Sequence, residues 1–207
     1  MAAAATHIVL ANKIYKSYFT DKDFSEFIVG TSFPDIRYLG VVDRSVTHFY
    51  NLKIDDLKNE DSFTAGLKLH SLVDEVREKY VKQNGLYQLF PQSQFITQSV
   101  KFFEDRVLYK HLDNWQEIVK SFDHVYKSEL AFGVGEGDIK KWHDLLITFL
   151  SKTPVDQDIY DFVERIGKPK EVAHEMIGVI NGASDSKKAN QIIMSFYNNF
   201  EDLIQNT

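Results

Sequence analysis

The sequence predicts an all-α fold, a bundle of many helices. Three observations carry that expectation. Apolar residues recur with a period near 3.6 along most of the chain, strict two-residue alternation is scarce, and Gly, Pro and Asn fall between the periodic segments. The length of 207 residues fits a single domain, 1–207. Within it we expect a metal-binding half over 1–112 and additional helices over 113–207 packed against it.

Taken in order, residues 6–19 place His7, Leu10, Ala11, Ile14 and Tyr18 on one helical face. A short helix follows over 22–29, with Asp21 or Asp23 near its start. The run Gly30-Thr31-Ser32-Phe33-Pro34-Asp35 reads as loop, because proline disfavours helical geometry in the residue before it. Residues 62–82 make the clearest long helix, striped by Leu69, Val73, Val76 and Tyr80 and closed by Asn84-Gly85. Another helix spans 94–111 with Ile96, Val100, Phe103 and Val107 in register, and a third spans 114–130 with Trp115, Ile118, Val119, Phe122 and Tyr126. Gly133, Gly135 and Gly137 mark a break, read as a turn since no strand precedes it as a phosphate loop would require. Asp138 is expected to cap the next helix, which carries Ile139, Trp142, Leu145, Leu146 and Phe149. Helices over 155–166, 169–181 and 185–205 complete the chain, the last with an apolar face of Ile192, Ile193, Phe196, Tyr197, Phe200, Leu203 and Ile204.

Composition narrows the function classes. A net charge of −6 supplies no basic excess to displace counterions, which argues against nucleic-acid backbone as the main partner. The absence of cysteine removes disulfides, thiolate metal ligands and thiol catalysis together. No apolar run approaches the ~20 residues of a membrane span, and Met1-Ala2-Ala3-Ala4-Ala5 lacks the basic start and apolar core of a signal peptide. The protein is therefore expected to be soluble and cytoplasmic.

A metal bound by this chain would have to use imidazole and carboxylate, the ligand set of zinc and other hydrolytic metals. The first third of the chain offers such residues in His7, Asp35, His48, His70 and Asp74. His70 and Asp74 lie four apart on the long helix, so their side chains project side by side at the edge of the apolar stripe. Gly66, one turn earlier, is expected to leave free space beside His70. Each residue also has a simpler reading: His70 with Asp74 as a surface pair, His7 as a core histidine, His48 as a packed loop histidine, and Asp35 after Pro34 as a turn residue. Glu104 shares a face with Val100 and Val107, where an acid is costly unless paired or metal-bound, while Asp105 is expected to point to solvent. His124, His143 and His174 have no partner at ligand spacing and are assigned to surface or structure. There is no Gly-x-Ser-x-Gly to support serine catalysis.

The order Thr6-His7, Phe33-Pro34-Asp35, Thr47-His48-Phe49 and His70-x-x-x-Asp74 resembles the zinc-dependent phospholipase C family, related in fold to the helical P1-type nucleases. The resemblance covers residues 6–108 and implies a helical bundle of that type holding metal ions that hydrolyse phosphodiesters. It implies that Asp35, His48, His70 and Asp74 surround one metal, that His7 joins Asp74 at a second, and that Asp35 orients or deprotonates the attacking water. The family's His-x-x-x-Glu stands here as Val100-x-x-x-Glu104, so Glu104 matches and the histidine does not. The expected cofactor is a divalent metal, zinc first, with manganese and iron as the other candidates. The expected substrate is a small phosphoester. The competing readings are a catalytically inactive helical binding or interaction domain, and a purely structural metal closed by four protein ligands.

Overall fold

The computed structural model describes residues 4–183 and 185–206. Twelve α-helices and three short 3-10 turns account for the regular structure of these residues, and no strand occurs among them. In chain order the helices are α1 (Ala4–Tyr18), α2 (Phe24–Ser32), α3 (Arg44–Thr47), α4 (Ile54–Lys58), α5 (Ser62–Gln83) and α6 (Ile96–Leu108). They continue with α7 (Trp115–Lys120), α8 (Lys127–Leu130), α9 (Glu136–Leu150), α10 (Asp156–Arg165), α11 (Lys170–Asn181) and α12 (Ser186–Gln205). No helix among the described residues is long and apolar enough to cross a membrane.

Local chemistry sets the boundaries. Asp23 accepts the backbone N–H of Glu26 at 2.9 Å, and Asp61 accepts both the N–H and the hydroxyl of Thr64, so each satisfies donors that a helix start leaves unpaired. At the far end of α5 the N–H of Leu86 bonds the carbonyl of Val81 and that of Gly85 bonds Lys82. Gly85 sits at φ +69, the left-handed residue this C-terminal motif needs.

Three expectations about local structure are corrected. The segment 30–35 is helix rather than loop: α2 runs to Ser32, and Phe33–Leu39 continue as a 3-10 turn with Pro34 in its first turn. Proline lacks an N–H and does no harm where that N–H would have no helical partner, so the chain tightens instead of leaving the helix. The 114–130 helix is broken in two, because the buried Glu129 reaches back to the N–H of Tyr126 at 2.9 Å and starts α8 there. The cap of α9 is Gly135, with Asp138 inside the first turn, where a carboxylate is favoured by the helix dipole.

The tightest packing in the molecule is the crossing of α2 and α5. A Cβ built on Gly30 would stand 2.1 Å from the carbonyl oxygen of Phe63, and one on Gly66 would stand 2.1 Å from that of Phe27. Gly66 therefore leaves no free space beside His70; α2 backbone fills it. Around this crossing one continuous apolar cluster extends from Ala4 to Ile204. Phe33, Phe63 and Phe132 pack ring to ring on one side, and Phe102, Phe149 and Phe162 on another. α12 lies across α5 and α6, α11 packs on α6 and α10, and α9 touches α1. Together α1, α2, α5 and α6 bring the polar residues of the chain's first half to one place.

Candidate metal centre

His70 is the centre of this arrangement. It projects from the middle of α5, is 2% exposed, and its Nδ1 donates to the carbonyl of Thr31 on α2 at 2.9 Å. A carbonyl only accepts, so the proton is on Nδ1 and Nε2 presents a lone pair. That Nε2 is buried and makes no hydrogen bond. His7, from α1, stacks on the His70 ring with centroids 4.1 Å apart and planes 12° from parallel. His48, just after α3, meets the same ring edge-on at 5.1 Å, its Nδ1 sharing a 3.0 Å hydrogen bond with Thr47 Oγ1. The Nε2 of His48 is likewise buried and makes no hydrogen bond.

Two carboxylates flank the imidazoles. Asp35 is 4% exposed in the 3-10 turn, with Arg37 Nη2 at 3.3 Å from its Oδ1. Asp74, one turn beyond His70, lies 3.6 Å from His7 Nε2 and 3.8 Å from His70 Nε2. Its Oδ1 accepts from Lys101 Nζ at 2.7 Å, and Arg44 approaches its Oδ2 at 3.9 Å. Two sets of ligand atoms result, His7 with His70 and Asp74, and Asp35 with His48 and His70, each set lying within 4.8 Å. A small cavity of about 10 Å³, the size of one water or ion, opens among His7, Asp35, His70 and Trp142.

Burial also settles the protonation states. It lowers the pKa of His70 to about 3, assisted by the neighbouring His7, and that of His48 to about 4, assisted by Arg44. Burial alone would raise both carboxylates, yet Asp35 and Asp74 lie below the usual range. For Asp35 the lowering comes first from the charge a protonated His70 would carry and then from Lys101 and Arg37, while for Asp74 Lys101 leads, ahead of His70 and His7. Neutral imidazoles beside ionised carboxylates are the donor states a divalent cation requires. The Nδ1 bond from His70 to a backbone carbonyl is the usual way a ligating histidine is oriented. On donor chemistry and on the two unbonded Nε2 atoms, the residues present fit such an ion.

No protein-family model, curated protein or solved structure matches this chain. Five of the six sequence-derived ligands, His7, Asp35, His48, His70 and Asp74, converge.

Glu104 stands apart. Arg77, from the next turn of α5, holds both of its oxygens, Nε to Oε2 and Nη2 to Oε1, each at 2.8 Å. The pair is almost completely buried, and a bidentate guanidinium leaves that carboxylate no reason to seek a metal. Asp105 is not solvated but fully buried, since its Oδ1 accepts from both the N–H and the hydroxyl of Thr6 at 2.8 Å. This bond fastens the residue that precedes His7. His143 is structural as expected, with Nδ1 on the carbonyl of Phe122 and Nε2 on Glu129, while His124 and His174 are exposed.

Sequence reasoning missed the cations around the site. Lys101 precedes Glu104 by three residues, as Asp74 precedes Arg77 by three, and the two helices pair in that register. Two i, i+3 pairs of opposite sign on neighbouring helices were the available signal. Trp142 was assigned only to the core, yet it lines the small cavity, and its indole N–H makes no hydrogen bond.

Proposed function

We propose that this protein is a metal-dependent hydrolase of phosphate esters, a phosphodiesterase or phospholipase C-like enzyme. The observation that carries the reading is the buried, neutral His70, aimed by Thr31 and presenting an unbonded Nε2 between Asp35 and Asp74. Leaving such an atom unpaired in a protein interior costs about 1–3 kcal/mol, which binding an ion would offset. The ordered resemblance of residues 6–108 to the zinc-dependent phospholipase C family points the same way. Asp35, His48 and His70 would hold one zinc, with His7 and Asp74 available to a second. Manganese and iron are the other candidates.

A divalent cation here would lower the pKa of water and neutralise charge developing on a phosphoryl group. Asp35 is placed to do the proton chemistry: it is ionised, held by Arg37, and faces the small cavity where one water fits. A cleft of about 540 Å³ reaches His48 and Asp74 from solvent, which favours a site with an open position over a closed structural one.

One observation favours the second reading, a non-catalytic binding domain. Lys101 already sits on Asp74 and Arg37 on Asp35, so protein cations could neutralise both carboxylates without any metal. Elemental analysis after purification without chelators separates the two. We expect at least one equivalent of zinc, manganese or iron in the wild type and its loss in His70→Ala. Turnover of phosphoesters should be abolished in Asp35→Asn while the fold survives. No metal in either protein, and none taken up on addition, would overturn the hydrolase reading.

A further inference from the structure

The cleft that opens on the cluster has a charge that the rest of the chain does not share. The protein carries −6 overall. The cleft lining instead holds five cations, Arg37, Arg44, Lys79, Lys82 and Lys101, against three carboxylates, Asp74, Glu75 and Glu78, a surplus of two positive charges. Lys82 is answered by Glu78 at 3.1 Å and drops out of the count with it. Lys79 has no ion pair among the described residues, and Glu75 is exposed.

Of the four cations that remain, Lys79 is exposed like Glu75, and the other three have donors to spare. Lys101 and Arg44 approach opposite oxygens of the Asp74 carboxylate, Lys101 at 2.7 Å and Arg44 at 3.9 Å. The first is a hydrogen bond using one of three ammonium protons, and the second is too long to be one. Arg37 spends Nη2 on Asp35 and on the hydroxyl of Tyr38, while its Nε is buried with no hydrogen-bond partner. Arg37 lines the cleft with a side chain 20% exposed, so its charge is felt there, although the buried Nε itself is closed to a ligand. The cleft's volume suits a small ligand, and the chain's net charge disfavours a polyanion. Tyr50, 70% exposed, and the half-buried Phe49 offer rings at the cleft wall for the ester group.

We propose that this cleft binds the dianion of a phosphate monoester, gripped by Arg37, Arg44 and Lys101 beside the His/Asp cluster. A monoester brings two negative charges where a diester brings one, so a wall with surplus cations separates the two. The inference narrows the phosphate-ester hydrolase reading to monoesters in place of diesters, and rests on that reading for its chemistry but not for binding, which the cations supply by themselves.

Isothermal titration with phenyl phosphate and with methyl phenyl phosphate, at pH 8 and low salt, tests it. The two esters differ by one methyl group and one charge. The wild type should bind the monoester at least tenfold more tightly. Arg44→Gln, an exposed position where the fold is safe, should weaken monoester binding about tenfold, and Arg44→Lys should restore part of the loss. Equal binding of the two esters, or monoester binding unchanged in Arg44→Gln, overturns the proposal. Repeating the titration after chelation keeps it separate from the hydrolase reading. Monoester binding by protein that takes up no metal supports the cleft and sinks the hydrolase; metal uptake without monoester binding does the reverse.

Discussion

Replacing Gly66 by alanine tests whether the α2–α5 crossing sets the geometry of the site. In isolation the change should help, since alanine is favoured over glycine inside a helix by about 1 kcal/mol. The crossing reverses the sign. The new methyl would stand 2.1 Å from the Phe27 carbonyl oxygen and 2.8 Å from the Thr31 nitrogen, whereas ordinary contact begins at 3.4 Å. Both obstacles are backbone, so no side chain can rotate away, and α2 must retreat by about 1.3 Å, the difference of those two contact distances. Overpacking of this kind costs about 1–3 kcal/mol and sometimes more, and a clash with backbone on both sides belongs at the upper end. After the ~1 kcal/mol helix gain we therefore expect a net destabilisation of about 1–2 kcal/mol. For a protein of this size that lowers Tm by roughly 2–8 °C.

A second effect follows from the same movement. The carbonyl that aims His70 belongs to Thr31 on α2, and a retreat of that size breaks the 2.9 Å bond. Losing such an outer partner reduces metal affinity by about 10–100-fold. Gly178→Ala is the control, because nothing lies within 4 Å of a Cβ there and the position is exposed in the interior of α11. It should raise stability by about 0.5–1 kcal/mol. Calorimetric melting of the two variants decides the matter. A Gly66→Ala protein melting at or above the wild type would refute the argument.

Glu104→Ala leaves the Arg77 guanidinium buried without its bidentate partner, and should cost about 3–5 kcal/mol in urea denaturation. Replacing both, Arg77→Met with Glu104→Leu, should recover most of that loss; if the double variant is as unstable as the single one, the pair is not the cause. Burial, with Glu104 assisting against the Thr6 bonds, pushes the Asp105 carboxyl up to about 7, well above the ~3.9 of an unfolded aspartate. The folded protein then keeps a proton the unfolded chain has shed, so the stability from this group is full below about pH 4 and is lost as pH rises to about 7, by up to about 4 kcal/mol. Asp105→Asn should flatten that decline between pH 4 and 7, and parallel stability profiles for the two proteins would count against it.

The helices were legible because their apolar stripes are long. The stripes of α5 and α6 lie where periodicity places them, and Asn84-Gly85 ends α5 as a left-handed glycine should. What was not legible depended on contacts between segments distant in sequence. Asp105 looks solvent-facing on α6 until α1 supplies Thr6, ninety-nine residues away, as its donor. Gly66 looks like a gap until the backbone of α2 is seen to fill it. Phe33 before Pro34 looks like a helix end, yet burial of Phe33, Pro34, Asp35 and Ile36 holds the chain in a tighter helical turn. The candidate site shows the same division. Residue types and chain order singled out five residues that converge, while Lys101 was legible only through its i, i+3 pairing with Glu104, and Arg37 and Arg44, outside any long helix, carried no periodic signal.

The polar face of α5 explains why His70 stands out. His70, Asp74 and Arg77 follow one another at i, i+4 and i+7, so this helix turns a stripe of polar groups inward beside its apolar one. Burying such a stripe is costly unless each member is paired. Arg77 meets Glu104 and Asp74 meets Lys101, both on α6, and the Nδ1 of His70 meets Thr31 on α2. Every strong demand along the stripe is met except at Nε2 of His70, the atom that faces Asp35, His48 and Asp74. If His70 is kept for an ion and not for the fold, leucine there removes a buried, unpaired Nε2 and fills the space, at the cost of the one Nδ1 bond to Thr31. A His70→Leu protein more stable than the metal-free wild type, yet unable to take up zinc, is the expected result. A His70→Leu protein that is markedly less stable than metal-free wild type would make the histidine a structural residue.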